Sequence, residues 1–229
     1  IFNNCQNPLA AESDRAEIEW LAGLALRHKL WVLSDDAYAE MRYSGETEFI
    51  VNVPGMSERT VTLYTFSKKY AMTGWRLGAA IGPKPVIDAI NRINGNDESC
   101  TANFVQWAGV EALRGDQSHV PALLRTLQER RDAAVDILNS IDGVSVSRPP
   151  STFYLFPNVT GAMRKLGYED VNEFATAALH NTNVSFCTRL HFGRVQHGEI
   201  QQYVRFAYSG IGVQAIWEGL AKLKQWIEQ

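Results

Sequence analysis

Short apolar runs alternate with amphipathic stretches along the first half of the chain. Residues 13–28 carry apolar side chains at helical spacing behind a polar start, which predicts an amphipathic helix. Three apolar runs, 30–33, 61–66 and 77–81, each end at polar or Gly-Pro residues, as buried strands do. Strands and helices that alternate with short connections indicate an α/β domain with a mostly parallel sheet.

The character of the chain changes after a long helix predicted at about 121–141, which Gly143 is expected to end. Beyond it, short strands at 144–146, 153–156, 184–187 and 203–208 mix with helices near 171–180 and 213–227. This is an α+β pattern, so we expect a boundary just before the long helix. The predicted domains are residues 1–115 and a smaller C-terminal domain at 116–229.

Composition excludes several classes of protein. A formal net charge of −3 argues against a nucleic-acid binder, and no apolar run approaches membrane-spanning length. Three scattered cysteines, an odd number without CxxC spacing, predict a reducing, cytoplasmic setting and neither a disulfide framework nor a metal site. The 229 residues are enough for a real apolar core.

The segment from Thr65 to Gly78 carries the most specific chemistry. Lys68 follows a buried strand, has hydroxyl groups just before it and Arg76 eight residues after it. Such a lysine can form a Schiff base with an aldehyde cofactor whose phosphate the hydroxyls and guanidinium hold. The segment resembles the cofactor-lysine motif of the fold type I pyridoxal-phosphate aminotransferases, Ser-x-Ser-Lys followed by Gly-Trp-Arg-Leu-Gly. Lys69 is expected to face away from that site as a solvated surface lysine.

The resemblance implies roles for residues that precede the lysine. In Ser34-Asp-Asp-Ala-Tyr38, the Asp-x-x-Tyr spacing selects Asp35 over Asp36 as the partner of the cofactor's pyridine nitrogen. Tyr38 would donate to the phenolic oxygen, and Asn7, in an Asn-Pro turn, would bind the same oxygen. The simpler interpretations are a turn-capping carboxylate for Asp35 and a core aromatic for Tyr38.

The resemblance also implies two anion-binding groups. Thr65, Ser67 and Arg76 would bind the cofactor phosphate, and Arg76 is expected beside an apolar strand where an unpaired charge is costly. Arg205 would grip the substrate α-carboxylate, although a structural salt bridge also explains a charge in that strand. The loop around Arg189 and His191 either reaches a substrate side chain or is only a solvated loop.

The whole chain is therefore predicted to be the later part of the large domain, of a seven-stranded type, plus the small domain of such an enzyme. The implied function is transfer of an amino group between an amino acid, of aspartate or aromatic type, and a 2-oxo acid, in a homodimer. Counterparts of the family's N-terminal arm and Gly-rich phosphate turn are not recognisable, so we expect a fragment of a longer enzyme. The alternatives are a β-elimination lyase of the same fold and an inactive fragment that only binds a partner or dimerises.

Overall fold

The computed structural model describes residues 1–229, which form two compact units. The first unit contains residues 1–6 and 11–122, and the second contains residues 7–10 and 123–229. The division falls inside the long helix, and the boundary predicted near residue 116 stays a prediction. None of the helices is both long and apolar enough to cross a membrane.

The first unit is built on a three-stranded sheet with helices around it. Its helices and strands are α1 (Arg15–Arg27), β1 (Val32–Asp35), β2 (Thr60–Thr65), β3 (Gly78–Ile81), α2 (Lys84–Asp97) and α3 (Asn103–Arg114). Asp14 begins α1 by accepting a hydrogen bond from the backbone N–H of Glu17 at 2.8 Å. The buried face of α1 packs with a short 3₁₀ turn, Ile50–Asn52, and with Met56 in the unit's apolar core.

The sheet order β1-β2-β3 contains one parallel and one antiparallel pair. The α/β class is confirmed, but the antiparallel pairing of β3 was not predicted from the pattern. Its cause is the short connection after β2: Thr65 pairs directly with Gly78, so the chain reverses without a crossover helix. Gly78 suits this close approach, because a Cβ there would lie 2.9 Å from the carbonyl oxygen of Tyr64.

The second unit packs helices on a small antiparallel sheet. Its elements are the greater part of α4 (His119–Leu138), β4 (Tyr154–Leu155), α5 (Thr160–Leu166), α6 (Val171–Thr182), β5 (Cys187–Thr188), β6 (Val204–Ala207) and α7 (Val213–Ile227). The strand order is β4-β6-β5, so β6 is central. The apolar faces of α4 and α7 are buried, which follows their helical periodicity.

The end of α4 differs from the prediction. The helix stops at Leu138 rather than near residue 141, and a turn carries the chain to Gly143, which has a φ of +79°. The turn forms because Asn139 bonds Val146 in both directions, with its side-chain amide donating and its side-chain oxygen accepting, each at 2.9 Å. An Asn that bonds backbone groups in this way competes with helix continuation.

Candidate cofactor and substrate residues

Two strand ends place polar groups at one edge of the first sheet. Asp35 is the last residue of β1 and lies opposite Leu63, while Thr65 is the last residue of the parallel neighbour β2. Because carboxyl ends of neighbouring parallel strands share an edge, Asp35 and the turn that follows Thr65 lie on the same side of the sheet. This edge is where an open α/β sheet binds ligands most often.

The two adjacent lysines have different surroundings. Nζ of Lys68 lies 5.3 Å from the ring centroid of Tyr38, which is buried. Nζ of Lys69 instead pairs with Glu40 at 2.5 Å, and the hydroxyl of Tyr64 donates to the same carboxylate at 2.8 Å. The expectation that Lys69 is a solvated surface lysine is therefore wrong, because Glu40 and its neighbours hold it in a half-buried position.

The Glu40 cluster perturbs both of its partners. Burial alone would lower the pKa of Lys69, but its hydrogen bond and charge pairing with Glu40 raise that pKa above its ordinary value. Burial, reinforced by the hydrogen bond to Glu40, raises the pKa of the Tyr64 phenol. Sequence reasoning missed Glu40, whose only signal was its position two residues after Tyr38.

The segment from Thr65 to Gly78 forms a closed loop. Its ends pair in the sheet, the Ser67 backbone N–H donates to the Thr65 hydroxyl oxygen at 3.2 Å, and the Thr65 hydroxyl donates to that of Ser67 at 2.9 Å. The Thr73 hydroxyl donates to the Ser67 carbonyl at 3.1 Å. The loop thus holds two hydroxyls and Arg76 on a short stretch whose ends are fixed by the sheet.

Arg76 itself is exposed, which corrects the expectation that it lies against an apolar strand. It ends a short 3₁₀ turn, Thr73–Trp75, with a left-handed φ of 53°, and its Nη1 donates to the Thr73 carbonyl at 3.0 Å. The turn directs the residue outward, and an exposed guanidinium needs no counter-ion within the chain. Its planar fork is suited to a phosphate.

The adjacent residues Asp35 and Asp36 also have different surroundings. Oδ1 of Asp35 accepts only a 3.3 Å bond from the Ala37 backbone N–H, and the residue is half-buried. Asp36 is buried, with Oδ1 bonded by the Ser34 hydroxyl at 2.9 Å and no partner for Oδ2. Burial raises the pKa of Asp36, the Ser34 hydroxyl opposes the shift and the charge of Asp35 adds to it.

The second unit brings Asn7 and Arg205 together. Nη1 of Arg205, on β6, donates to Oδ1 of Asn7 at 2.6 Å, and Nη2 lies 3.7 Å from the Cys187 sulfur on neighbouring β5. Its guanidinium carbon lies 4.4 Å from the ring centroid of Tyr154 and 4.7 Å from that of Phe192. No carboxylate pairs with Arg205, so the structural salt bridge considered for it is not formed.

Arg189 and His191 are both used inside their own loop. Arg189 pairs with Glu199 at 2.8 Å and also donates to the carbonyls of Gly193 and Arg194. Nδ1 of His191 lies 2.9 Å from the hydroxyl oxygen of Thr188. The charge of Arg189 is thus paired within the loop, so this side chain offers no unpaired cation to an acidic substrate side chain.

The chain belongs to the aminotransferase class I and II family, whose model matches residues 1–209. Members of this family use pyridoxal phosphate.

Named relatives are aminotransferases of several substrate types. The chain is 33% identical over 211 residues to an asparagine–oxo-acid transaminase of Streptococcus mutans, covering 91% of this chain and 52% of that protein. It is also 33% identical to aromatic-amino-acid aminotransferase 2 of Thermococcus litoralis, with coverages of 91% and 52%. The chain therefore spans about half the length of the curated relatives it matches.

Solved structures agree on the fold. An aromatic aminotransferase from Pyrococcus horikoshii matches with a TM-score of 0.89 at 27% identity, covering 99% of this chain and 59% of that one. An aspartate aminotransferase from Rhizobium meliloti matches with a TM-score of 0.89 at 29% identity, covering 99% and 57%. These likenesses confirm the predicted fold type I architecture.

Proposed function

We propose that this chain carries the cofactor-lysine and carboxylate-binding residues of a pyridoxal-phosphate-dependent amino-acid aminotransferase. The observation that carries the proposal is the position of Lys68, whose amine lies beside buried Tyr38 in a loop closed by the Thr65–Gly78 pair. Asp35 ends the neighbouring parallel strand. The alternative lysine, Lys69, is already neutralised by Glu40.

The donor set of the first unit fits pyridoxal phosphate. Two hydroxyls and an exposed guanidinium on one closed loop match the needs of a phosphate group, and an amine beside a phenol matches an aldehyde next to a phenolic oxygen. The carboxylate of Asp35 has spare acceptor capacity for a protonated ring nitrogen. When bound, the cofactor supplies an aldehyde carbon and a ring that stabilises the charge left when the substrate Cα–H bond breaks.

Each residue then has a definite task. With the cofactor bound, Nζ of Lys68 would hold the aldehyde carbon and would move the proton at the substrate Cα. Asp35 would hold the proton on the ring nitrogen, while Tyr38 would donate to the phenolic oxygen. The side-chain nitrogen of Asn7 would be the donor to that oxygen, because the side-chain oxygen of Asn7 already accepts a hydrogen bond from Arg205. Thr65, Ser67 and Arg76 would hold the phosphate.

Arg205 binds the substrate α-carboxylate. A planar guanidinium can bond both carboxylate oxygens, which fixes the Cα–H bond relative to the cofactor and removes orientational freedom before reaction. The substrates are an amino acid and a 2-oxo acid. An aspartate-like or aromatic amino acid is preferred in this proposal because the similar proteins include an aspartate aminotransferase and an aromatic-amino-acid aminotransferase.

The cofactor spectrum tests the proposal. Pyridoxal phosphate added to the purified chain is expected to give the visible absorbance band of a lysine-bound cofactor. Lys68→Ala should abolish the band, and the matched control Lys69→Ala should keep it. No band at saturating cofactor would favour the inactive binding fragment.

Product analysis separates the two enzyme classes. A new amino acid and a new 2-oxo acid from mixed substrates would support the aminotransferase. Pyruvate and ammonia from one amino acid alone would instead support the β-elimination lyase.

We further propose that the chain forms a homodimer in a reducing, cytoplasmic setting. Large apolar side chains lie exposed on α2 and α3, with Ile93, Phe104 and Trp107 each 65–70% exposed, which is typical of a protein–protein interface. Cys5, Cys100 and Cys187 form no disulfide. Light scattering should give twice the chain mass, and Trp107→Glu should give the monomer.

A further inference from the structure

Arg205 is surrounded by side chains that have no role in the proposed function. The ring of Tyr154, on the neighbouring strand β4, and the ring of Phe192, from the loop after β5, both lie within 5 Å of the guanidinium carbon. Nε is buried without a hydrogen-bond partner. Of the five N–H groups, those left to meet a ligand are therefore on the two terminal nitrogens, where Asn7 already orients Nη1.

Phe192 is held in place by its loop. It ends a 3₁₀ turn, Arg189–Phe192, and the first residue of that turn pairs with Glu199 at 2.8 Å. Both side chains of this pair are less than 20% exposed, so it is better shielded from solvent than an ordinary surface pair. Arg189 also donates to the Gly193 carbonyl at 2.9 Å, immediately after Phe192.

A second set of contacts fixes the ring from the sheet side. Phe192 meets Phe156 edge-on at 6.2 Å between centroids, and Phe156 stacks on Tyr203 at 5.3 Å with parallel ring planes. Phe156 follows β4 and Tyr203 precedes β6. These contacts therefore fix the position of the Phe192 ring relative to β6, the strand that carries Arg205. The loop and the sheet together set where Phe192 lies over the guanidinium.

We propose that Phe192 is a positioning residue for substrate carboxylate binding, and that the Arg189–Glu199 pair holds it over Arg205. The aromatic face attracts the guanidinium and limits its rotation, so the two terminal nitrogens are oriented before the carboxylate arrives. This inference rests on the proposed role of Arg205. It assigns the Arg189 loop to α-carboxylate binding common to all substrates rather than to recognition of the substrate side chain.

The test uses two carboxylates that cannot react because they lack an amino group, succinate and 3-phenylpropionate. Calorimetry on the cofactor-loaded chain should show Phe192→Leu binding both about 10-fold more weakly, the loss expected for one desolvated cation–π contact. Phe192→Tyr keeps the aromatic face and should bind within about twofold of the original chain. Trp217→Leu, an aromatic change at a 48% exposed position on α7, is the matched control and should change nothing.

Kinetics distinguish positioning from a general structural effect. Phe192→Leu should raise KM for the amino acid about 10-fold and leave kcat nearly unchanged, because Lys68 is untouched. Glu199→Gln releases the loop without altering any aromatic ring, so it should weaken both carboxylates about threefold. If Phe192→Leu does not fold, the affinity of Glu199→Gln for the two carboxylates tests the positioning role of Phe192.

The outcomes separate the two proposals. If the original chain binds cofactor and both carboxylates, but Phe192→Leu and Glu199→Gln bind them equally well, the positioning role is overturned and the proposed function stands. A loss for succinate alone would also overturn it, since the loop would then recognise the second carboxylate. If the original chain shows no cofactor band and binds neither carboxylate, the proposed function fails and this inference fails with it.

Discussion

Asn7 Oδ1 accepts a 2.6 Å hydrogen bond from Nη1 of Arg205, although the two residues lie 198 positions apart in the sequence. The contact orients the guanidinium with a neutral partner, so the positive charge stays available to an incoming carboxylate. An ionised side chain at position 7 would instead compete for that charge.

We therefore expect Asn7→Asp to weaken binding of succinate and 3-phenylpropionate by at least about 10-fold, because an internal ion pair replaces the ligand. Asn7→Ala, which removes the bond without adding charge, should weaken them less. Calorimetry measures both variants. Equal affinities for Asn7→Asp and the original chain would show that the carboxylate does not bind at Arg205.

Glu40 should control the ionisation of its two neighbours. Removing its charge in Glu40→Gln should lower the pKa of Tyr64 and that of Lys69, because the carboxylate raises both in the folded chain. Spectrophotometric titration of tyrosinate follows the effect: of the eight tyrosines, Tyr64 should ionise at a lower pH in the variant. The double variant Glu40→Gln with Tyr64→Phe identifies the signal, and its persistence there would contradict the assignment.

Asp36 should make stability depend on pH. Its folded-state pKa lies above the unfolded value, so its favourable contribution is complete below the unfolded pKa and is lost as pH rises through the folded pKa. Above that range the buried carboxylate is ionised without full hydration, which lowers the stability of the folded chain. Asp36→Asn should therefore be more stable than the original chain at pH 7, with the difference shrinking towards the unfolded pKa.

Thermal unfolding of Asp36→Asn across this pH range measures that difference. Asp35→Asn is the matched control: it should show no comparable stabilisation and should instead weaken cofactor binding, since it changes the proposed partner of the ring nitrogen. The reverse pattern, with cofactor binding lost in Asp36→Asn and retained in Asp35→Asn, would exchange the roles of the two carboxylates.

The hydrophobic pattern located most elements within a few residues because strand and helix periodicity are local properties. The predicted run 61–66 became Thr60–Thr65, and the helix predicted at 213–227 spans Val213–Ile227. The antiparallel pairing of β3 could not be predicted from such a pattern, because it depends on how the loop after Thr65 closes. The end of α4 was missed because Asn139 bonds groups seven residues ahead.

The candidate residues likewise fall into those that a local motif identifies and those that only tertiary packing brings together. A motif selects residue types in order, so Lys68, Asp35 and Arg205 could be proposed from the sequence, and their roles stay predictions. Glu40, Cys187 and Phe192 belong to other segments, and only tertiary packing brings them to Lys69 or Arg205. Arg189 was an open question for that reason, because its partner Glu199 lies ten residues further on.

At position 143, backbone geometry and a close neighbour require glycine. Its φ is +79°, and a Cβ there would lie 2.4 Å from the backbone nitrogen of Ala162, which cannot move without disturbing α5. Gly143→Ala should therefore lower the free energy of unfolding by at least about 2 kcal/mol, combining left-handed strain with overpacking. Gly95→Ala, in α2 with open space around the site, is the control and should be neutral or stabilising by up to about 1 kcal/mol.

Urea unfolding followed by circular dichroism measures both variants, and the same measurement on Gly161→Ala tests the facing position on α5. Alanine normally favours a helix interior, yet a Cβ at Gly161 would lie 2.6 Å from the Cα of Gly143. If steric contact dominates, Gly161→Ala destabilises the chain despite its better helix propensity. A stabilised Gly161→Ala would show that α5 can shift away from the turn at Gly143, and the loss expected for Gly143→Ala would then reduce to backbone strain alone.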